Sequence, residues 1–298
     1  MTVGSALSCE GLGKRYGSTW ALRDCTLRIP AGSVTALVGP NGAGKTTLLQ
    51  LAVGMSAPTA GEIEIFGWSP QREPQMVLPR IGFVAQDHPL YRGFTLADML
   101  SFGRRLNARW DEKLARRRLD SLGLQLSQRV GKLSGGQQAQ VALTLALAKR
   151  PELLLLDEPA AALDPLARRE FLQALMEGVA EEGVTVVLSS HILADLERVC
   201  DHLVILSRAR VALADSTEEI ARSHRLLTGA TRGVDEIAQL HSVVHANTTD
   251  RQTTVLVRAN GHVYDSHWQV SNVDLEQIVL AYLALDPVRT PEQPVMSA

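Results

Sequence analysis

Long apolar runs are missing from this sequence of 298 residues. A helix that crosses a bilayer needs about 20 mostly apolar residues. The longest apolar stretches here are Leu153 to Leu156, Val184 to Leu188, and Val141 to Ala148 with Thr144 inside it. The opening MTVGSALSCE has neither a basic segment nor a long apolar core, so no secretory signal is expected. Cysteine is scarce. Cys9, Cys25 and Cys200 are too few and too scattered for a disulfide framework or a zinc site, and they fit a reducing cytoplasm. An excess of one charge is also absent: 30 Lys and Arg stand against 32 Asp and Glu, a formal charge of −2. A protein that grips nucleic acid by its phosphates usually carries a net basic field, so no nucleic-acid partner is expected. No internal repeat or low-complexity segment is visible.

What is present is ordinary for a soluble globular chain, with 45% hydrophobic and 21% charged residues. The length allows one large domain or two modest ones. Short apolar runs alternate with turns through residues 7 to 38, ending in the buried strand SVTALVG. Residues 45 to 54 read as a helix. Asp98 to Leu124 is helical in pattern, with Gly103 and Gly123 as its interruptions. Residues 134 to 148 read as a helix opened by a serine cap. LLLLD at 153 to 157 has the pattern of a parallel strand buried on both faces. Residues 165 to 181 are helical, VTVVLSS at 184 to 190 is a second buried strand, and 192 to 200 is a further helix. Strands alternating with helices imply a parallel sheet covered on both faces. Beyond about residue 215 the character changes to a small α+β appendage, with strands at Val243-Val244 and Val255 to Val257 and an amphipathic helix from Asp274 to Ala284.

The chemistry concentrates at three places. Gly39-Pro40-Asn41-Gly42-Ala43-Gly44-Lys45-Thr46 fits the Gly-x-x-x-x-Gly-Lys-Ser/Thr pattern between an expected strand and an expected helix. Glycines let successive backbone N–H groups face one concavity, and the following helix adds the positive end of its dipole. Lys45 supplies a point charge for the β- and γ-phosphates, and the Thr46 hydroxyl can ligate Mg²⁺. The LLLL run delivers Asp157 and Glu158 to the carboxyl end of a strand, where open α/β sheets bind their ligands. Asp157 is placed to hold the magnesium and Glu158 to polarise an attacking water. Leu133-Ser134-Gly135-Gly136-Gln137 joins a serine cap, two glycines and a helix N-terminus, which makes a second anion site. Taken alone, that string reads first as a plain helix start.

In this order the motifs resemble those of the ATP-binding cassette ATPases, with Ser134 to Gln137 as the signature. The resemblance runs from residue 16 to 191. It implies an α/β P-loop NTPase cassette over residues 1-215, with a mostly parallel sheet, an antiparallel β subdomain and a helical subdomain at about 88-150, followed by an accessory domain at 216-298. It also implies ATP and Mg²⁺ as ligands. Tyr16 takes the place of the aromatic residue that stacks on adenine. Gln86 takes that of the glutamine reaching the magnesium and the attacking water. Thr47 follows Thr46 in the phosphate loop. Ala161-Ala162-Leu163-Asp164 takes the place of the loop that crosses to a partner subunit, with Asp164 near the shared nucleotide, and His191 that of the switch histidine on the γ-phosphate. Two departures stand out. Gln138-Ala139-Gln140 follows the signature where many members carry an arginine, and the loop ending at Asp164 lacks its frequent serine.

The resemblance further implies that one chain cannot finish the reaction, because the signature of one subunit caps the ATP held by another. A second cassette subunit, most simply a second copy, is therefore expected. So is a separately encoded integral membrane permease, contacted through residues 88 to 110, which places the chain peripherally at the cytoplasmic face of the cell membrane. The layout is similar to bacterial drug and antibiotic exporters, partly through Asp274 to Val279, so export is expected over import. The alternative is a soluble cassette ATPase not coupled to transport. Seven basic residues between Arg104 and Arg118 read first as a solvated helix face, and second as a surface near acidic lipid headgroups.

Overall fold

The computed structural model describes residues 4–190, 199–231, 233–261 and 267–284. His191 and the helix expected at 192 to 200 lie outside them, apart from its last two residues. The chain forms two compact units, Met1–Ala214 and Asp215–Ala298.

The first unit opens with two long strands, β1 (Ser5–Tyr16) and β2 (Thr19–Pro30). They pair antiparallel and close on Tyr16 and Thr19. Next come β3 (Val34–Val38), α1 (Lys45–Ala52) and β4 (Ala60–Ile65), and β4 adds to the far side of β1. After α2 (Pro74–Val77) and β5 (Ile81–Val84) the chain turns helical through α3 (Leu96–Leu106), α4 (Glu112–Ser121) and α5 (Gly135–Ala148). It then re-enters the sheet as β6 (Leu153–Leu156), crosses by α6 (Pro165–Glu182) to β7 (Thr185–Ser190), and ends in β8 (His202–Ser207) and β9 (Arg210–Ser216).

The six-stranded sheet has the order β5-β6-β7-β3-β8-β9, and its first five strands run parallel. Side chains alternate across a strand. Leu153 and Leu155 of β6 therefore share one apolar cluster with Leu37, Val187, α1 (Leu48, Leu49) and the three-stranded sheet (Leu7, Ile63). Leu154 and Leu156 are equally buried on the opposite face. With both faces covered, β3 and β6 contain no exposed residue, which is why their sequences show no polar alternation.

The helical pattern from 98 to 124 ends at Gly123 (φ +67°) as expected, but its inner break falls elsewhere than at Gly103. Gly103 lies inside α3, and the break falls at 107 to 111. The reason is tertiary. A Cβ on Gly103 would stand 2.4 Å from the Trp110 ring, so the glycine is the seat for that indole. Asn107 ends α3 by donating its amide to the Gly103 carbonyl at 2.8 Å, and Asp111 caps α4 by accepting the Leu114 N–H at 2.8 Å.

The second unit contains α7 (Thr217–Ser223), β10 (His224–Ala230), α8 (Asp235–Leu240), β11 (Ser242–Thr248), β12 (Gln252–Arg258), β13 (Gln269–Ser271) and α9 (Leu275–Leu283). Its sheet is antiparallel, ordered β11-β12-β10-β13. Leu227, Val255, Val257, Ile237 and Trp268 form its core. Asp274 caps α9 by accepting the Gln277 N–H at 2.7 Å.

Candidate functional site

The parallel strands deliver the site at their carboxyl ends. After β3 the loop from Gly39 to Gly44 curls back so that α1 begins at Lys45. Gly44 has φ +106°, and a Cβ there would stand 2.4 Å from the Ala21 carbonyl oxygen, so no other residue fits. Gly39 is as constrained, 2.4 Å from the Leu206 carbonyl oxygen. Pro40, Asn41 and Gly42 are exposed, Ala43 and Gly44 are buried, Thr46 is exposed and Thr47 half-buried. The loop thus offers its outer face and the Thr46 end of α1 to a ligand.

Lys45 is only 5% exposed. Its Nζ donates to the carbonyls of Gly39 (2.7 Å) and Pro40 (3.3 Å) and pairs with Glu158 Oε1 at 3.0 Å. Glu158 arrives from β6 through a backbone conformation with φ +43°, which few residues other than glycine adopt. Asp157, 2% exposed, accepts a hydrogen bond on Oδ1 from the Ser189 hydroxyl at 2.9 Å. The same Ser189 oxygen accepts the Glu158 N–H at 2.8 Å. Ser189 stands near the end of β7, which lies between β6 and β3. The structure therefore gathers Lys45, Asp157 and Glu158, and adds Ser189, which motif reading misses. The available signal is a pair of hydroxyls closing an otherwise apolar strand, VTVVLSS.

Gln86 is exposed two residues beyond β5. Val84 of β5 is level with Leu156 of β6, so Gln86 and Asp157 leave adjacent strands at the same edge. Two residues on, His88 has φ +43° and is half-buried. Burial holds its imidazole below the ordinary histidine range, against an opposing hydrogen bond with the Pro159 backbone. Beside it opens a cavity of about 420 Å³ whose lining includes Leu78, Phe83, Leu90 and Leu145. Tyr91, Phe94 and Phe102 cluster nearby in sequence, their ring centroids 5.0 to 6.4 Å apart.

The remaining candidates make local contacts. Tyr16 ends β1 half-exposed, with Lys14 Nζ 5.1 Å from its ring centre. Ser134 and Gln137 form a reciprocal cap on α5: Ser134 Oγ accepts the Gln137 N–H at 3.2 Å and Gln137 Oε1 accepts the Ser134 N–H at 2.9 Å. Gly135 is exposed, and a Cβ on Gly136 would stand 3.2 Å from Ala167 Cβ, so the signature turn lies against the start of α6. Asp164 caps α6 by accepting the N–H groups of Leu166 and Ala167, both at 3.0 Å. Arg168 holds the preceding loop through the Ala160 and Leu163 carbonyls. Of the basic stretch, Arg116 pairs with Glu112, Arg109 with Glu152, and Arg118 donates to Thr144 and Ala174. Arg104, Arg105, Lys113 and Arg117 are exposed.

Thr46, Gln86 and Asp157 supply a hydroxyl, an amide and a carboxylate. This is a hard-oxygen donor set of the kind Mg²⁺ takes when phosphate oxygens and water complete its shell. Among the described residues there is no group of three or more His, Cys, Asp and Glu side chains able to hold a metal without such help. The residues present fit magnesium as part of a nucleotide complex.

Residues 22–161 match the family model described as ABC transporter. A 225-residue stretch is 36% identical to an Fe(3+) ions import ATP-binding protein of Rhodococcus jostii, covering 72% of this chain and 63% of that one. A 210-residue stretch is 35% identical to the Nod factor export ATP-binding protein I of Rhizobium johnstonii, covering 69% and 67%. A solved ATP-binding subunit of an ABC transporter superposes with a TM-score of 0.66 at 31% identity, covering 73% of this chain and 92% of that one. The chain belongs to the ABC transporter family, as one of its ATP-binding proteins, with the P-loop NTPase cassette fold of that family. It spans 63% of the length of the iron-import relative.

Proposed function

We propose that this chain binds and hydrolyses ATP as the energising subunit of a transporter. The observation that carries the reading is the buried Lys45–Glu158 pair at 3.0 Å, set between a phosphate-shaped loop and Asp157. An incoming γ-phosphate competes with Glu158 for Lys45. The exchange frees the carboxylate to accept a proton from a water aimed at the phosphorus. Thr46, Gln86 and Asp157 hold Mg²⁺, which when bound neutralises charge on the β- and γ-oxygens. Tyr16 stacks on the base. Gly39 to Thr47 cradle the phosphates, and His191 reaches the γ-phosphate.

Ser134 to Gln137 and Asp164 serve the ATP of a second copy, so two chains close head to tail over two nucleotides. Residues 1-215 form the cassette, with a helical subdomain at about 88-150, and 216-298 form the accessory domain. The apolar cavity beside His88 and the aromatic cluster after it support docking of an integral membrane permease. Among the described residues no helix is long and apolar enough to cross a membrane, which fits a peripheral subunit at the cytoplasmic face. The named relatives serve both import and export. Our choice of export rests on the overall layout and on the acidic–apolar stretch Asp274 to Val279, which opens α9.

The test is purification from detergent-solubilised membranes, followed by ATP titration of the Glu158→Gln variant with light scattering. A stoichiometric multi-span partner and an ATP-driven doubling of mass are expected. Ribosome or DNA association with no membrane partner would favour the soluble alternative. Nucleotide binding that leaves the mass unchanged would end the shared-site reading.

A further inference from the structure

Resting on that assignment of Asp157 and Glu158, we infer that Ser189 is a positioning residue that sets the two neighbouring carboxylates to their separate tasks. A buried hydroxyl is costly unless it finds partners. Ser189 is fully buried, in a strand whose preceding residues from Thr185 to Leu188 are all buried. It satisfies its hydroxyl in both senses. It donates to Asp157 Oδ1 at 2.9 Å and accepts the Glu158 N–H at 2.8 Å. One side chain thereby holds the two consecutive residues that follow another strand, β6.

The two bonds do different things. The donated bond takes one oxygen of Asp157 and stops the carboxylate from rotating, which leaves the second oxygen to face the metal. Outer partners that orient a ligand in this way commonly matter nearly as much as the ligand itself. The accepted bond pins the Glu158 amide where the backbone is in its left-handed conformation, φ +43°. That conformation reverses the chain just after β6 and carries the Glu158 carboxylate back to Lys45. Without the bond, Glu158 can relax to an ordinary backbone and swing its side chain away. Ser189 also sits on the strand adjoining β3, level with Leu37. Strand register therefore ties its hydroxyl to the root of the phosphate loop.

The experiment uses the full chain as wild type, Ser189→Ala and Ser189→Thr. Affinity for trinitrophenyl-ATP is measured by fluorescence with EDTA and across a Mg²⁺ titration, alongside turnover and a thermal melt. Ser189→Ala is expected to bind nucleotide in EDTA within about two-fold of wild type while needing about 10- to 100-fold more Mg²⁺ for half its metal-dependent gain in affinity. Ser189→Thr, which keeps the hydroxyl, should restore most of the Mg²⁺ response. A wild-type Mg²⁺ midpoint in Ser189→Ala overturns the inference. So does an equal loss of affinity with and without metal, which would mean a merely structural hydroxyl. If Ser189→Ala melts below the assay temperature, Ser189→Cys takes its place, keeping the volume with a weak hydrogen bond. A wild-type Mg²⁺ midpoint there overturns the inference as well. Wild-type protein that binds no nucleotide, or shows no Mg²⁺ response, refutes the functional assignment itself, an outcome separate from failure of the Ser189 role.

Discussion

Glu152 stands just before β6 and Glu158 two residues after it, yet the two carboxylates live in opposite circumstances. Glu152 is 37% exposed and accepts two hydrogen bonds from Arg80, the longer at 2.9 Å, and one from Arg109 at 3.1 Å. Its neighbour pair, Arg150 with Asp111, bonds at 2.5 Å and is likewise partly open to water. Glu158 is 10% exposed and faces a lysine that is 5% exposed. Ion pairs in water contribute little, because solvent already stabilises the separated charges. A pair taken out of water is costly to break, because a buried charge that loses its partner is expensive. If the proposed function holds, the amino end of β6 is a brace and its carboxyl end holds the pair that a nucleotide exchanges.

The sharpest way to break this contrast is Glu158→Gln. It keeps the shape and removes the proton acceptor. Turnover should fall by about 10²- to 10⁴-fold, roughly 3 to 5 kcal/mol of barrier, with ATP binding retained. Steady-state hydrolysis beside the wild type measures it, and near-normal turnover would remove Glu158 from the role. Lys45→Ala should act on binding instead. A charged hydrogen bond to phosphate lost from a buried site predicts affinity roughly 10- to 100-fold weaker by equilibrium titration. Unchanged affinity would mean the loop does not grip phosphate.

How much of this the sequence shows depends on how local each cause is. The phosphate loop is legible because the glycines, the lysine and the strand and helix around them are consecutive. β6 is legible because four leucines with no polar alternation leave only a doubly covered strand. The break between α3 and α4 is not legible, because Gly103 answers to Trp110, a contact across a turn, and not to its own backbone. Ser189 carries no local signal of its partners, since Asp157 is 32 residues away and meets it only through sheet pairing. β13 is three exposed residues that become a strand only by pairing with β10, so no pattern announces it.

The second unit sharpens the contrast from another side, because its buried polar pair has no charge to exchange. His224 is fully buried. Its Nδ1 lies 2.8 Å from the Ile220 carbonyl, which can only accept, so Nδ1 carries the proton and Nε2 accepts from the Tyr282 hydroxyl at 3.0 Å. Burial lowers the His224 pKa. The Ile220 carbonyl opposes this, Arg258 and Arg225 reinforce it, and Asp215 works against it. The folded unit thus prefers the neutral ring. Its contribution is complete above the unfolded histidine value of about 6.5 and is lost as pH falls below it. Hydrogen exchange in β10 and β12, corrected for intrinsic rates, should quicken on going from pH 7 to 5 in the wild type. The change should be flatter in His224→Gln, and equal slopes would remove His224 as its source.

Glu152→Gln tests the braced end and should have the smallest effect. The Arg80 hydrogen bonds hold the Glu152 carboxyl below its usual range, burial opposes them, and Arg109 adds to them. A depressed carboxylate stabilises the fold above its unfolded value and loses that contribution as pH falls through the folded one. Because both arginines and the acid are partly solvated, the substitution should cost only about 0.5 to 1 kcal/mol at pH 7. In a unit of this size that corresponds to a melting midpoint lower by roughly 1 to 4 °C. The difference should shrink at about 1 M salt, where exposed charges are screened within a few ångströms. It should vanish only below the depressed value of the folded protein, where both proteins are uncharged at this position. Turnover should not change, because the residue stands at the opposite end of β6 from the phosphate loop. Loss of turnover in Glu152→Gln without loss of stability would show that the two ends of β6 are coupled, and the separation between brace and exchangeable pair would fail.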